Sequence, residues 1–553
     1  MNYFNTKQGF LISSFSLEKK EVEKIDKFLN FIDKSEVLKQ IESEEKDQIK
    51  GGRPNYNQSN LFAAVLYCFT FGKGSLRNIE EMCHYDLRVI YIMDGEMPSH
   101  MTISNFINEK IKPNIKKIYS ALTTAIVREC GIDTSILFID GSKFEADANK
   151  YKFVWKPLKF HNKLSDKIRT ILNKYGIDRG IPAEGIIPVD MVAKKLNELA
   201  EKLSVHNPEL KENRQYKDDF EIMSGYLSKS IEYEEKEKIC GPNRNSYYKT
   251  DKDATAMCLK EDYYSGLGSN MHAAYNVQFG VSDGIIIWCM VSQSRNDYED
   301  FVPFLDEYER IYQVLPANVV ADAGYGSLKN YRYLKSSRIT SYVKHSSWEG
   351  NVSGHNPFPY RVNVDKTITC LNGNIGSPID IEGRHVKNKG SYFYKVEGCM
   401  ECPFSSFCKR YMANKDSNFR IFEVNVELRE LIQESEENLL SVKGIEMRVN
   451  RSSQVEGAFG IIKQDFGYER FRRTGIENVS MELMLICIGF NIRKLFRFYG
   501  GKLKKKYWVA PEGLCPEAFK KPSAKRLSKR VNKKLEKSVN QLAKDSYKYS
   551  SNK

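Results

Sequence analysis

Apolar residues recur at helical spacing through the first 130 residues, with breaks where glycine or polar clusters intervene. The run Leu61-Phe-Ala-Ala-Val-Leu is apolar on every side, the pattern of a buried helix, and Gly72-Lys-Gly-Ser ends it. A second helix is expected from Leu76 and a third from Pro98 through Ile103 and Ile111. Short helices joined by tight turns fit a helix-turn-helix-like module or a purely structural bundle.

Beyond residue 130 the period changes. Residues 135–146 read as a strand, and 157–240 as a charged helical insertion lying over the surface. Two apolar runs, starting at His272 and Gly284, are separated only by Val281-Ser-Asp-Gly, and Asp-Gly between such runs signals a hairpin. Residues 297–314 have helical periodicity, 317–322 form a short buried strand, Tyr331 starts another helix, and 339–343 another strand. The order strand, strand, strand, helix, strand, helix, strand predicts an α/β chain with a mixed sheet and helices on its faces. It is the order of the ribonuclease H-like fold. Residues 346–440 are rich in Gly, Asn and Pro and short of apolar periodicity, so a staple is expected there. Residues 481–498 read as a core helix.

At 553 residues the chain exceeds what one core usually holds. The predicted division is a helical N-terminal domain (1–130), the first part of the α/β core (131–345, with the helical insertion), a Cys-rich insertion (346–440), the second part of the core (441–500) and a basic tail (501–553). The net charge is +14, and the tail carries 16 Lys+Arg against 4 Asp+Glu, so most of the excess sits there. Such a tail suits a polyanion or is a solvated end. No apolar run reaches the roughly 18 residues of a membrane span, and the N-terminus lacks an apolar signal core, so a cytoplasmic, nucleoid-associated protein without membrane contact is expected.

Three carboxylates draw attention. Asp140 ends the run Ile136-Leu-Phe-Ile, Asp322 ends Val319-Val-Ala, and Glu456 lies in the helical stretch 449–464. A carboxylate after an apolar strand is costly to bury without a cation or donor. Two strand ends and a helix carboxylate can form a cage of hard oxygens for a divalent metal. Singly, each has an ordinary explanation: a strand-ending turn, a turn cap, an exposed helix residue. Glu145, Asp147, Asp251 and Asp253 are rivals, but strand alternation turns Glu145 and Asp147 away from Asp140.

The blocks Asp140-Gly-Ser-Lys-Phe-Glu-Ala-Asp-Ala-Asn-Lys-Tyr, Ala321-Asp-Ala-Gly-Tyr-Gly and Val455-Glu-Gly-Ala-Phe-Gly-Ile-Ile-Lys resemble, in order, the three catalytic blocks of bacterial insertion-sequence DDE transposases. The nearest likeness is to the group numbered eleven-eighty-two, in the IS-four and IS-five-like assemblage, over about residues 15 to 500. The resemblance implies a metal triad of Asp140, Asp322 and Glu456, with Mg²⁺ (or Mn²⁺) as the ion. The related signature Y-x2-R-x3-E-x6-K is matched at Glu456 and Lys463, while Val449 and Ser452 stand at the Tyr and Arg positions. Arg448 or Arg451 are substitutes. On a regular helix Arg448 lies about 80° from Glu456 and Arg451 about 140°, which favours Arg448, and Lys463 lies about 20° away, suited to a DNA phosphate.

Twelve cysteines in a cytosolic chain point to thiols or metal, not disulfides. Eight are scattered core candidates. Cys370, Cys399, Cys402 and Cys408 have the spacing of a structural Zn²⁺ site, or are free thiols in a loop. Arg470, Arg472 and Arg473, interleaved with Tyr468 and Phe471, suit a DNA backbone or a solvated turn. Trp348 is a stacking platform for a flipped base or a packing residue.

The reading that follows is a DNA transposase that cleaves strands at insertion-sequence ends and transfers them to target DNA. Its partners would be double-stranded DNA, as terminal inverted repeats and target, and a second copy in a synaptic homodimer. Two alternatives are an inactive DNA-binding or repressor protein, and a metal-dependent nuclease without strand transfer.

Overall fold

The strand that begins at Ile136 organises the molecule. The computed structural model describes residues 17–41, 56–206, 214–242, 244–259, 270–349, 358–410, 412, 414–501 and 508–511. Nearly all of the basic tail therefore lies outside the described residues.

Among the described residues six α-helices precede this strand: α1 (Lys19–Lys34), α2 (Gln58–Phe69), α3 (Leu76–Tyr85), α4 (Leu87–Ile92), α5 (His100–Phe106) and α6 (Ile115–Cys130). Side chains of Asn57, Ser75, Asp86 and Ser99 accept a backbone N–H at the starts of α2 to α5, as capping residues do. β1 (Ile136–Glu145) then pairs antiparallel with β5 (His272–Ser282) and parallel with β7 (Asn318–Ala321). β5 pairs with β6 (Ile285–Ser292) and, further along the same edge, with β4 (Thr255–Met257). β7 pairs parallel with β8 (Thr340–Val343). The expected hairpin between β5 and β6 is present. Asp283 and Gly284 both have positive φ, 50° and 76°, as a two-residue turn of the primed type requires.

Between β1 and β5 the described residues form β2 (Phe153–Trp155), three helices α7 (Leu158–Lys174), α8 (Val189–His206) and α9 (Arg214–Cys240), and β3 (Ser246–Tyr248), which pairs with β2. The three helices carry a small core of their own around Leu164, Ile168, Leu172, Val192 and Met223, in keeping with an insertion. α10 (Asp297–Tyr312) and α11 (Leu328–Ser336) flank β7.

Residues 358–424 depart from the expectation of a loop region in need of a staple. They form a five-stranded antiparallel meander, β9 (Tyr360–Val362) to β10 (Ile368–Cys370), β11 (Ile375–Ile379), β12 (Tyr392–Glu397) and β13 (Phe419–Val424). Short strands hid their period-2 signal, yet Tyr360, Val362, Ile368, Tyr394, Val396, Phe422 and Val424 bury one face as a separate core. Residues 426–440, assigned to that insertion, are instead a helix, α12 (Val426–Leu440), which packs on β8 through Ser435.

A helical rod follows: α13 (Val442–Arg451), a π-helical turn (Ser452–Glu456), one α turn and a second π turn (Ile461–Asp465). Phe459 on this rod stacks on Phe279 of β5, with ring centroids 4.2 Å apart and planes 12° from parallel. α14 (Ile476–Tyr499) is buried along most of its length and lies against α2, where the backbone of Phe69 fits against Gly489. The N-terminal helices, the sheet and α14 share one continuous core. Among the described residues no helix is long and apolar enough to cross a membrane.

Candidate active site

β1 outruns β7. In the parallel pairing Phe138 faces Val320, and β7 ends at Ala321. Two residues on, Asp140 and Asp322 stand side by side where the strands part. Asp322 turns one oxygen back to the N–H of Gly324, 2.8 Å away, and so caps the turn Ala323–Tyr325. Asp140 accepts the N–H of Gly141 at 2.9 Å. Glu456 comes from the rod, which Phe459 and the buried Val455, Ala458 and Ile462 press onto β1 and β5.

Arg451 joins two of the three carboxylates. Its guanidinium donates to Asp140 Oδ2 at 3.0 Å and to Glu456 Oε1 at 3.4 Å. Ser452 donates to the other oxygen of Glu456 at 2.7 Å. Regular-helix geometry had placed Arg448 nearer to Glu456 than Arg451, and this is corrected. The turn 452–456 is π-helical, with i to i+5 hydrogen bonds, so residues five apart share a face. Arg448 points elsewhere: its guanidinium lies 5.4 Å from the ring centroid of Trp348 and burial lowers its pKa. Trp348 is buried among core residues and does not present a stacking face.

A fourth carboxylate, absent from the sequence reasoning, belongs to this group. Asp297 at the start of α10 accepts hydrogen bonds on Oδ1 from Asn276 (2.8 Å) and Gln278 (2.9 Å) of β5. A Cβ on Gly141 would lie 2.5 Å from that oxygen, so glycine is required beside Asp140. A Cβ on Gly324 would lie 3.0 Å from Asp322 Oδ1 and 3.8 Å from Asp297 Oδ2, which sets these two carboxylates close together. Tyr325, fully buried, donates to Gln278 Oε1 and completes the support. An Asp in the first turn of a helix is ordinary dipole complementation, so the sequence offered no distinct signal for it.

Burial pushes the Asp140 carboxyl up to about 6; the charges of Asp322 and Asp297 push the same way, and Arg451 opposes them. Burial lowers the pKa of Lys344, whose charge lies in the field of Asp322 and Arg451. Among the described residues no three His, Cys, Asp or Glu side chains converge closely enough to hold a metal ion. The donor chemistry nevertheless fits a hard divalent cation, because a guanidinium occupies a cation position between Asp140 and Glu456.

The other residues singled out are tied within the protein. Lys463 crosses to β1 and donates to Ser142 Oγ and to the carbonyl of Lys143, both at 2.8 Å. Arg470 pairs with Asp147 at 2.8 Å on the surface. Arg472 lies over the Tyr468 ring, and Arg473 reaches Asn108. The backbone N–H groups of Arg472 and Arg473 are held by the buried carboxylate of Glu482. Glu145 is near His272 at 3.4 Å, Asp251 accepts from Tyr275, and Asp253 accepts the N–H of Ile476 at the start of α14. None of the four rivals joins Asp140.

Cys370, Cys399, Cys402 and Cys408 line one small enclosed space beside β10 and β12, with Lys409 and Phe422. Burial raises the Cys399 pKa, Lys409 opposes, and the other three thiols add to the rise. Six of the other eight cysteines are buried as expected; Cys258 is half-buried and Cys515 lies outside the described residues.

Two family models match the chain: "Transposase DDE domain" over residues 369–496 and "Transposase domain (DUF772)" over residues 13–109. Together they support a transposase of the insertion-sequence kind, an enzyme acting on DNA. The first match contains Glu456 and Arg451 but begins after Asp140 and Asp322, so those two rest on geometry and on the sequence blocks. No curated protein and no solved structure matches.

Proposed function

We propose that this chain is a DDE transposase, akin to the group numbered eleven-eighty-two, that cleaves DNA at the ends of an insertion sequence and joins the freed 3′ ends to target DNA. The strand order around β1, with β5 antiparallel, β7 and β8 parallel and helices between, supports a ribonuclease H-like core for it. The observation that carries the reading is the bridge of Arg451 to Asp140 and Glu456. It joins Asp140 to a residue 311 positions away, with Asp322 alongside through the β1–β7 pairing.

Asp140, Asp322 and Glu456 would hold Mg²⁺ or Mn²⁺ once the Arg451 guanidinium moves aside. Bound there, divalent metal activates a water or 3′-hydroxyl and stabilises the leaving oxygen of a phosphodiester. The chain's own part is positioning. β1 fixes Asp140, the Gly324 N–H fixes one oxygen of Asp322, and Lys463 ties the rod that carries Glu456 to β1. No covalent enzyme intermediate is required.

The N-terminal helices are proposed to bind the terminal inverted repeats, the basic tail to add salt-sensitive affinity, and two copies to synapse two ends. Arg448, Arg470, Arg472, Arg473 and Lys463 were expected at DNA. Of these, Arg470 and Arg472 are exposed, the Arg470 side chain at 48%. The four-thiol space is proposed as a structural Zn²⁺ site, formed when the thiols, which line one space without converging to metal-binding distance, close on the ion.

The test is an assay of a DNA fragment carrying one element end, with Mg²⁺ and with target plasmid. Nicked and joined products support the reading. Nicking without joined product from a pre-cut end would favour a nuclease. Binding without nicking would favour an inactive DNA-binding protein.

A further inference from the structure

The short ribbon that follows β1 carries a second recognition surface. Along β2 Phe153 and Trp155 share one side and are 43% and 59% exposed, and Tyr151, in the turn just before the strand, is 81% exposed. Phe160 just beyond is 66% exposed. The Phe153 and Trp155 rings meet edge to face at 5.4 Å, over the buried Tyr248 of β3. Rings of this size are seldom left in water without a use when several adjoin.

Their setting selects the partner. Between Asp147 and Asp166 there is no acidic residue, and five lysines intervene: Lys150, Lys152, Lys156, Lys159 and Lys163. Lys156 is engaged with the carbonyl of Gly241, and Lys150 lies over the Tyr151 ring. The opposite side of the ribbon, with Val154 and Tyr247, faces α9, whose Lys236 and Glu232 are felt at Tyr247. On the aromatic side Tyr248 lies in the field of Arg295, two residues before Asp297, and the ribbon follows directly on β1, which carries Asp140. Lys152, at an even position, lies on that opposite side, with Val154, whereas Lys150 lies on Tyr151 and Lys159 and Lys163 are exposed on α7, which follows the ribbon. Basic residues beside exposed rings are what an unpaired strand needs: every base offers a face to stack, and each phosphate a charge to neutralise. A contact between two copies of this chain fits less well, because lysine is depleted in such interfaces.

We propose that the Tyr151, Phe153 and Trp155 face binds unpaired nucleotides of DNA, with bases on the rings and phosphates on the flanking lysines. This rests on the transposase reading for its location and adds a site for bases unstacked near the cleaved end.

The experiment measures binding of the full-length chain in EDTA to a labelled single strand of about 15 nucleotides and to the blunt duplex of the same sequence. Phe153→Ala/Trp155→Ala is expected to weaken strand binding by about 10- to 100-fold, with duplex binding within about twofold of wild type. Phe153→Tyr/Trp155→Phe is expected to restore strand binding. A 2-aminopurine in the strand should be quenched by the wild type and by this conservative variant. An unchanged strand affinity, an equal loss for strand and duplex, or a shift from dimer to monomer in sedimentation would each overturn the proposal. Because no metal is present, any of these results leaves end cleavage at the carboxylates standing, and a failure of cleavage leaves the binding result readable.

Discussion

Arg451 donates to Asp140 at 3.0 Å from a position five residues before Glu456, which it also contacts. The π-helical turn between Arg451 and Glu456 makes this possible. A positive group therefore separates two carboxylates that would otherwise repel.

Removing that group should have two opposite effects. Arg451→Ala is expected to lower stability without metal by about 1–3 kcal/mol, since Asp140 and Glu456 lose a charged hydrogen-bond partner. Added Mg²⁺ should then raise the melting temperature more in the variant than in wild type, because the ion no longer competes with the guanidinium. Equal Mg²⁺-dependent shifts in thermal melts would place Arg451 outside the cation's path.

The four carboxylates should separate by role. Asp140→Ala, Asp322→Ala and Glu456→Ala are each expected to reduce end cleavage by at least about a thousandfold, or about 4 kcal/mol in the barrier. Asp297→Asn keeps the shape and can still accept from Asn276 or Gln278, so a smaller loss of about ten- to a hundredfold is expected. Single-turnover rates on a pre-bound end measure this. A wild-type rate for Asp322→Ala would remove that residue from the triad.

Gly141 tests the closeness of Asp297 to β1. A methyl there would lie 2.5 Å from both Asp297 Oδ1 and Gln278 Nε2. Gly141→Ala is expected to destabilise the fold by about 1–3 kcal/mol through overpacking. Urea titration gives the value, and no change in midpoint would mean that the Asp297 carboxylate has room to withdraw.

Asp300 gives a pH dependence. It is buried, accepts from Ser292 and Asn276, and burial pushes its carboxyl up to about 6. The folded state thus holds a proton that the unfolded chain releases near its ordinary pKa of about 4. Stability from this group is full below about pH 4 and declines as pH rises to about 6. Asp300→Asn should flatten that decline, by on the order of 2 kcal/mol between the two limits. Denaturant titrations of both proteins from acid to neutral pH report it, and parallel curves would contradict it.

The thiol cluster predicts metal content. Purified protein should carry about one zinc per chain, and Cys399→Ser/Cys402→Ser should lose it. Because β9 to β13 have their own apolar core, the variant is expected to stay folded with a lower melting temperature. Elemental analysis of zinc-free preparations that melt like wild type would exclude the ion.

The sequence alone determined the order of β1, β5, β6, β7 and β8, though not the edge strand β4, and with it the Asp-Gly turn and the place of Asp322 just after β7; Asp140, read as a strand end, lies inside β1, whose pairing with β5 runs on to Glu145. These depend on local period, turn chemistry and the run of apolar residues before each carboxylate. Only the tertiary structure decided which arginine reaches Glu456, that Asp297 lies against Gly141, that Trp348 is buried, and that Phe153 and Trp155 are exposed. Each of those depends on contacts between segments far apart in the chain or on a π turn, and neither leaves a period in the sequence that distinguishes it from a regular helix or an ordinary strand.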